Sequence, residues 1–146
     1  MTPDVNVLVA AFRADHPHHA SARPWLEQAL TAARSGASFT VMPMVTTSFL
    51  RLVTSDRIFQ QPTPIDEAVA FVDALLAAPG VRPTSAGAEW PHLRSLCVER
   101  QLSGNDLPDA WLAACVMQRG EHLVTFDRDF RKLLSRGQLT VLKPPP

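Results

Sequence analysis

NDLPDAWLAACVMQRGEHLVTFDRDF, residues 105–130, sets one helix and one strand between acidic residues. Residues 107–120, LPDAWLAACVMQRG, form the strongest helical pattern in the chain, with Gly120 as its stop. HLVTF (residues 122–126) then reads as a strand, DRDFRKLLSRG (127–137) as a short helix and LTVL (139–142) as a last strand. Asp109 lies near the start of the strong helix, and Asp127 and Asp129 follow directly on a strand. An open α/β sheet gathers its ligand groups at such places, at the carboxyl ends of strands.

Working outward, the same grammar recurs. Asp4 opens DVNVLVAAF (residues 4–12), whose apolar residues Val7, Leu8, Ala11 and Phe12 fall at helical spacing. Only three residues precede Asp4, so a first strand is very short or the true start lies upstream. A loop with His16, Pro17, His18 and His19 leads to a helix that ends at Gly36. SFTVMP (38–43) reads as a second strand and VTTSFLRLVTS (45–55) as a helix. A further helix starts at Pro64, VRPTS (81–85) is a weak strand, and Trp90, Leu93, Leu96 and Cys97 mark one more helix. Strands alternating with helices argue for an α/β fold with a mostly parallel sheet covered on both faces. The 146 residues make a single domain, 1–146, without repeat or linker.

Composition narrows the function. Formal net charge is zero, so the chain has no global basic footprint, and contact with nucleic acid needs a local arginine patch. Arg51, Arg57, Arg128 and Arg131 flank the acidic motifs and are the candidate RNA contacts. Cys97 and Cys115 have no paired spacing, which disfavours zinc or redox chemistry and suits a reduced, cytoplasmic protein. The N-terminus is a poor signal peptide, and no apolar run approaches a membrane span. The sequence has no GxGxxG or phosphate loop, and Ser48 has no His and acid at triad spacing. The His16, His18 and His19 cluster reads as loop and capping residues, His92 and His122 as structural. Trp25, Trp90 and Trp111 read as core or dimer contacts.

Each acid alone also reads as an ordinary helix cap: Asp4, Asp106 and Asp127 are N-cap candidates, and Asp106 with Asp109 mimics a capping box. Capping does not require the acids to meet, whereas a shared cation does. Carboxylates gathered at one sheet edge repel one another unless a positive charge sits between them, and Mg²⁺ takes oxygen ligands with few protein contacts.

DVNVLVAAF, FLRLVTSDRIF (49–59), the NxxxDAWLAA helix and VTFDRDF together resemble the PIN-domain ribonucleases, in particular the VapC toxins of type II VapBC toxin–antitoxin pairs. The resemblance runs in order along nearly the whole chain. It implies a three-layer α/β/α sandwich around a roughly five-stranded parallel sheet. It also implies Mg²⁺- or Mn²⁺-dependent endoribonuclease activity, a homodimer, and a VapB-type antitoxin whose C-terminal segment blocks the site. Asp4, Asp109, Asp127 and Asp129 match the family's catalytic acids, with Asp4, Asp109 and Asp127 as metal ligands. Asn6 and Thr125 match supporting positions. Where many relatives carry Glu three residues before an Arg, this chain has Ser48 before Arg51, and Asp106 is placed to compensate in part. That departure leaves open a non-catalytic PIN-like module that binds RNA or a partner. A phosphoryl-accepting domain of the receiver or haloacid-dehalogenase kind fits less well, because DVN offers one acid where those have a pair.

Overall fold

The computed structural model describes residues 1–85, 87–102 and 106–145, with nothing said of the Trp90 side chain. Asn105, which opens the NxxxDAWLAA motif, and the last proline of the tail lie outside the described residues. The elements are β1 (Thr2–Pro3), α1 (Val5–Phe12), α2 (His19–Arg34), β2 (Phe39–Val41), α3 (Pro43–Val53), α4 (Ile65–Ala77), β3 (Val81–Pro83), α5 (Trp90–Arg100), α6 (Asp106–Arg119), β4 (Leu123–Thr125) and β5 (Leu139–Val141). Strands and helices alternate as the sequence predicts. A departure lies after β4, where DRDFRKLLSRG forms two short 3-10 segments, Arg128–Lys132 and Arg136–Gln138, instead of one helix. The Asp127 carboxylate accepts the Asp129 N–H at 2.7 Å and winds the chain into a tight turn at that point.

All strand pairs are parallel. β1, β4 and β5 form one ladder, with Thr2 opposite Leu123 and Leu123 opposite Leu139, and β2 and β3 form another. Met1 ties the two ladders: its amine donates to the Ser38 carbonyl at 2.8 Å and its own carbonyl accepts from Thr40 N at 2.9 Å. Thr2 N and Asp4 N point the other way, to the His122 and Val124 carbonyls of the β4 side. The next donor toward β2 would be residue 3, and proline has no N–H to give. Pro3 therefore ends the ladder between β1 and β2.

α1 is apolar on nearly every face, with Val7, Leu8, Val9, Ala10 and Ala11 all buried, as suits a helix enclosed by its neighbours. It packs on α2 and α3, and Phe12, Phe49 and Phe71 join α1, α3 and α4 through ring contacts of 4.9–5.4 Å. Trp25 is half-buried and lies against Phe39 at 6.3 Å between ring centres, at the edge of the core. Gly80, with φ +83°, turns the chain from α4 into β3; a Cβ there would stand 2.1 Å from the Ala33 carbonyl oxygen. Gly120, with φ +63°, follows the last turn of α6 as expected. Among the described residues no helix is long and apolar enough to cross a membrane.

Candidate active site

β1 delivers Asp4 to the edge where α1 begins. Asp4 is only 5% exposed, and as N-cap of α1 its Oδ1 accepts the Val5 N–H at 2.6 Å. Its Oδ2 accepts the Thr125 hydroxyl at 2.7 Å, from the end of β4. The same Thr125 oxygen accepts from Asn6 Nδ2 at 2.9 Å and from Asp127 N at 3.0 Å, so one donor and two acceptor positions are all engaged. Asn6 closes the circuit, its Oδ1 accepting the Phe126 N–H at 3.3 Å. Capping and convergence are thus not alternatives here, because Asp4 and Asp127 cap their helical segments and also meet.

The acids feel one another. Burial pushes the Asp4 carboxyl up to about 6; its hydrogen bonds from Thr125 and Val5 oppose this, and the charges of Asp109 and Asp127 add to it. The Asp109 carboxyl is also raised, first by burial, then by Asp127, Asp106 and Asp129. Among the described residues no three His, Cys, Asp or Glu side chains form a ready-made metal cage. The donor set is nonetheless all oxygen and excess negative charge. Such a set fits a hard divalent cation that keeps several of its own waters. Asp4, Asp109 and Asp127 are the residues that could hold it.

Two cavities meet at Asp109. One, of about 530 Å³, is lined by Asp4, Ser48, Arg51, Leu107, Asp109 and Trp111, among others. The other, of about 340 Å³, is lined by Asp106, Asp109, Asp129 and Lys132. Ser48 and Arg51 therefore face the same cleft as Asp4. Asp129 is exposed and ion-paired with Lys132 at 2.9 Å, at the rim of the cluster. Asp106 is exposed in the first described turn of α6, and the residues just before it, 103–105, lie outside the described residues. Arg131 lines a separate cavity with Arg136 and Val141, and Arg57 and Arg128 are exposed. Of the four arginines the structure gathers Arg51 to the cleft.

Several contributors escape sequence reasoning. Glu89 is buried, accepts Trp111 Nε1 at 2.7 Å and the Gly87 N–H, and is held below the usual carboxylate range by the Trp111 bond. Trp111 itself is 38% exposed on the cleft, so it is not a core residue. His18 stacks on Phe126 at 4.5 Å, His19 Nδ1 pairs with the Ala10 carbonyl, and His122 bridges the Gly137 carbonyl and the Thr140 hydroxyl. These are structural roles, as the sequence suggested for the histidines. Arg13 is the largest omission. It chelates Asp15, donates to the Gln61 carbonyl and Thr63 hydroxyl, and lies 4.2 Å over the Phe59 ring.

With this geometry in view, comparison with known proteins is direct. The PIN domain family matches residues 1–134. The chain belongs to the PIN-domain family. Within it, the chain is 44% identical over 143 residues to Ribonuclease VapC25 of Mycobacterium tuberculosis, covering 97% of this chain and 96% of that one. It is 38% identical over 130 residues to Ribonuclease VapC43 of the same organism, covering 88% and 86%. These relatives set it among the VapC proteins. Two solved structures share the fold: VapBC2 from Rickettsia felis bound to a promoter DNA fragment, and the sarcin–ricin-loop-cleaving toxin VapC20 of Mycobacterium tuberculosis. The first gives TM-score 0.65 at 14% identity over 96% of each chain. The second gives 0.63 at 17% identity, over 90% of this chain and 92% of that one. At those identities they speak for the PIN fold alone.

Proposed function

We propose that this VapC-family chain is the toxin of a type II toxin–antitoxin pair, acting in the cytoplasm as a Mg²⁺- or Mn²⁺-dependent endoribonuclease. The observation that carries this reading is that Asp4 and Asp109, distant in sequence, line one cleft, with Asp127 tied to Asp4 through the Thr125 hydroxyl and burial destabilising the Asp4 carboxylate. A bound divalent cation supplies an acidified water and screens charge on the scissile phosphate. Asp4 and Asp109 would hold it, with Asp127 completing the set. Asp129, at the rim, orients the attacking water or holds a second, weaker ion. Thr125 holds the Asp4 carboxylate and the Asp127 backbone N–H, Asn6 holds Thr125, and Arg51 in the same cleft grips a phosphate oxygen. A VapB-type antitoxin and a second copy of the chain are the partners this reading entails.

The purified chain should cleave RNA in Mg²⁺, stop in chelator, and lose cleavage in Asp4→Asn, which keeps the shape of the side chain and removes its charge. Wild-type cleavage rates in Asp4→Asn would remove Asp4 from the site. The competing reading, a non-catalytic RNA- or partner-binding module, draws on Ser48 standing in the cleft where a carboxylate would be expected. RNA bound in Mg²⁺ without any cleavage would favour it.

A further inference from the structure

A further cavity, of about 530 Å³, is lined by Asn6, Asp15, His16, Ile58, Phe59 and Gln60, among others. Its size suits a small-molecule moiety. It includes Asn6, the residue whose amide holds Thr125 and, through it, Asp4, so the cavity and the acids share one hydrogen-bond network. Its chemistry differs from theirs. No lysine or arginine is among its lining residues, and the charge of Asp15 is answered by two bonds from Arg13, at 2.9 and 2.7 Å. The cation beside the cavity, Arg13, is already engaged by Asp15 and set against the Phe59 ring. A flat, uncharged group with a hydrogen-bonding edge finds two rings, Phe59 and His16, an exposed Ile58, and the Gln60 amide with both a donor and an acceptor.

The wall is also built in advance. Arg13, its side chain 13% exposed, reaches across from the end of α1 to the Gln61 carbonyl at 2.9 Å and the Thr63 hydroxyl at 3.0 Å, with its guanidinium on the Phe59 ring. Thr63 N closes the segment back onto the Val53 carbonyl at 2.8 Å. Ordering this stretch beforehand lowers the cost of binding. His16 is fixed too: its Nδ1 accepts the His18 N–H at 3.1 Å, which leaves the proton of the neutral ring on Nε2 as a donor. Burial and the neighbouring His18 hold that ring's pKa below the usual range, favouring the neutral form.

We propose that this groove is a base-selective subsite, receiving an unstacked nucleobase of the RNA beside the cut phosphodiester, with Gln60 and His16 reading its edge and Phe59 supporting its face. It rests on the reading that the acids cleave RNA. Sequence-specific RNA recognition works on such splayed bases, stacked on rings and read along their edges.

The test uses the full chain on a pool of RNA oligonucleotides of randomised sequence in Mg²⁺, with the cut sites read by sequencing the new ends. Wild type should prefer one base at a single position flanking the cut. Gln60→Ala and His16→Ala should weaken or switch that preference by about fivefold or more, the range of a lost base-edge contact, while leaving other positions and the Mg²⁺ requirement unchanged. Gln60 is exposed, so Gln60→Glu serves as a second variant without threat to folding, and it should move the preference toward bases that donate at that edge. Unchanged preferences in all three variants, or a wild type with no preference at any flanking position, would overturn the proposal. To separate it from the nuclease reading, Asp4→Asn protein is titrated with short RNAs that differ at one base. Discrimination among them, lost in the Asp4→Asn/Gln60→Ala double variant, supports the subsite even if cleavage fails. Equal binding of all the RNAs counts against it.

Discussion

The Thr125 hydroxyl donates a 2.7 Å hydrogen bond to the Asp4 carboxylate across 121 positions of sequence. This bond ties the end of β4 to the end of β1 and leaves Thr125 no free capacity, since Asn6 and Asp127 N occupy its acceptor sites. Removing the hydroxyl while keeping its shape therefore disturbs both acids at once. Thr125→Val should lower cleavage about 10- to 100-fold, the range for groups that orient metal ligands, and raise the Mg²⁺ concentration needed for half-maximal rate. Rates measured across a Mg²⁺ titration check this; an unchanged curve would show that Asp4 is positioned without Thr125.

Asp4 predicts a pH effect in metal-free protein. Burial pushes its carboxyl up to about 6 in the folded chain, against 3.8 for an unperturbed aspartate, so between those values the folded chain binds more protons than the unfolded one. Stability from this group is then fully present below 3.8 and is lost as pH rises through 6, a difference of up to ~3 kcal/mol. Asp4→Asn lacks that titration. In chelator at pH 7.5 the variant should be the more stable protein, with the gap narrowing toward pH 4.5. Urea unfolding at several pH values reads the gap directly, and a gap independent of pH would refute the assignment.

Asp109 and Asp106 share the first turn of α6 but face different environments, the first half-buried at the junction of both cavities and the second exposed. Asp109→Ala should abolish cleavage and Asp106→Ala should cost a modest fraction of it. Melting curves add a readout independent of activity: Mg²⁺ should stabilise wild type and Asp106→Ala and barely move Asp109→Ala. Metal-free Asp109→Ala should melt above wild type, since one repelling charge has left the cluster. Equal Mg²⁺ shifts in all three proteins would take Asp109 out of the site.

Ser48 shares the cleft with Asp4, Asp109 and Arg51. Ser48→Glu adds a carboxylate to that cleft, and should maintain or raise the rate at limiting Mg²⁺ while lowering metal-free stability. A large loss of cleavage in a well-folded variant would assign Ser48 a role of its own.

The acids were legible because their signal is local. Asp at a strand-to-helix junction is written into short motifs, and the alternation of strands and helices fixes which sheet edge those junctions share. Asn6 and Thr125 were legible only through resemblance, since nothing in their spacing says that a hydroxyl at 125 meets a carboxylate at 4. Contacts between distant, individually ordinary residues left no trace: Arg13 with the carbonyl of Gln61, or Glu89 with Trp111. The 127–137 segment looked helical because its apolar residues recur at helical intervals. The Asp127 bond to Asp129 N prevails over that periodicity and tightens the turn.

Pro3 gives the sheet a mechanical grain. Through Met1 alone β1 holds β2 by backbone bonds, while toward β4 both Thr2 and Asp4 donate. Asp4, Thr125 and Asp127 are therefore joined by hydrogen bonds, whereas β2 and α3, with Ser48 and Arg51, are held to them mainly by apolar packing such as Phe12 on Phe49. The cleft between the buried carboxylate and Arg51 thus has one wall fastened by directional bonds and one fastened by packed rings and side chains.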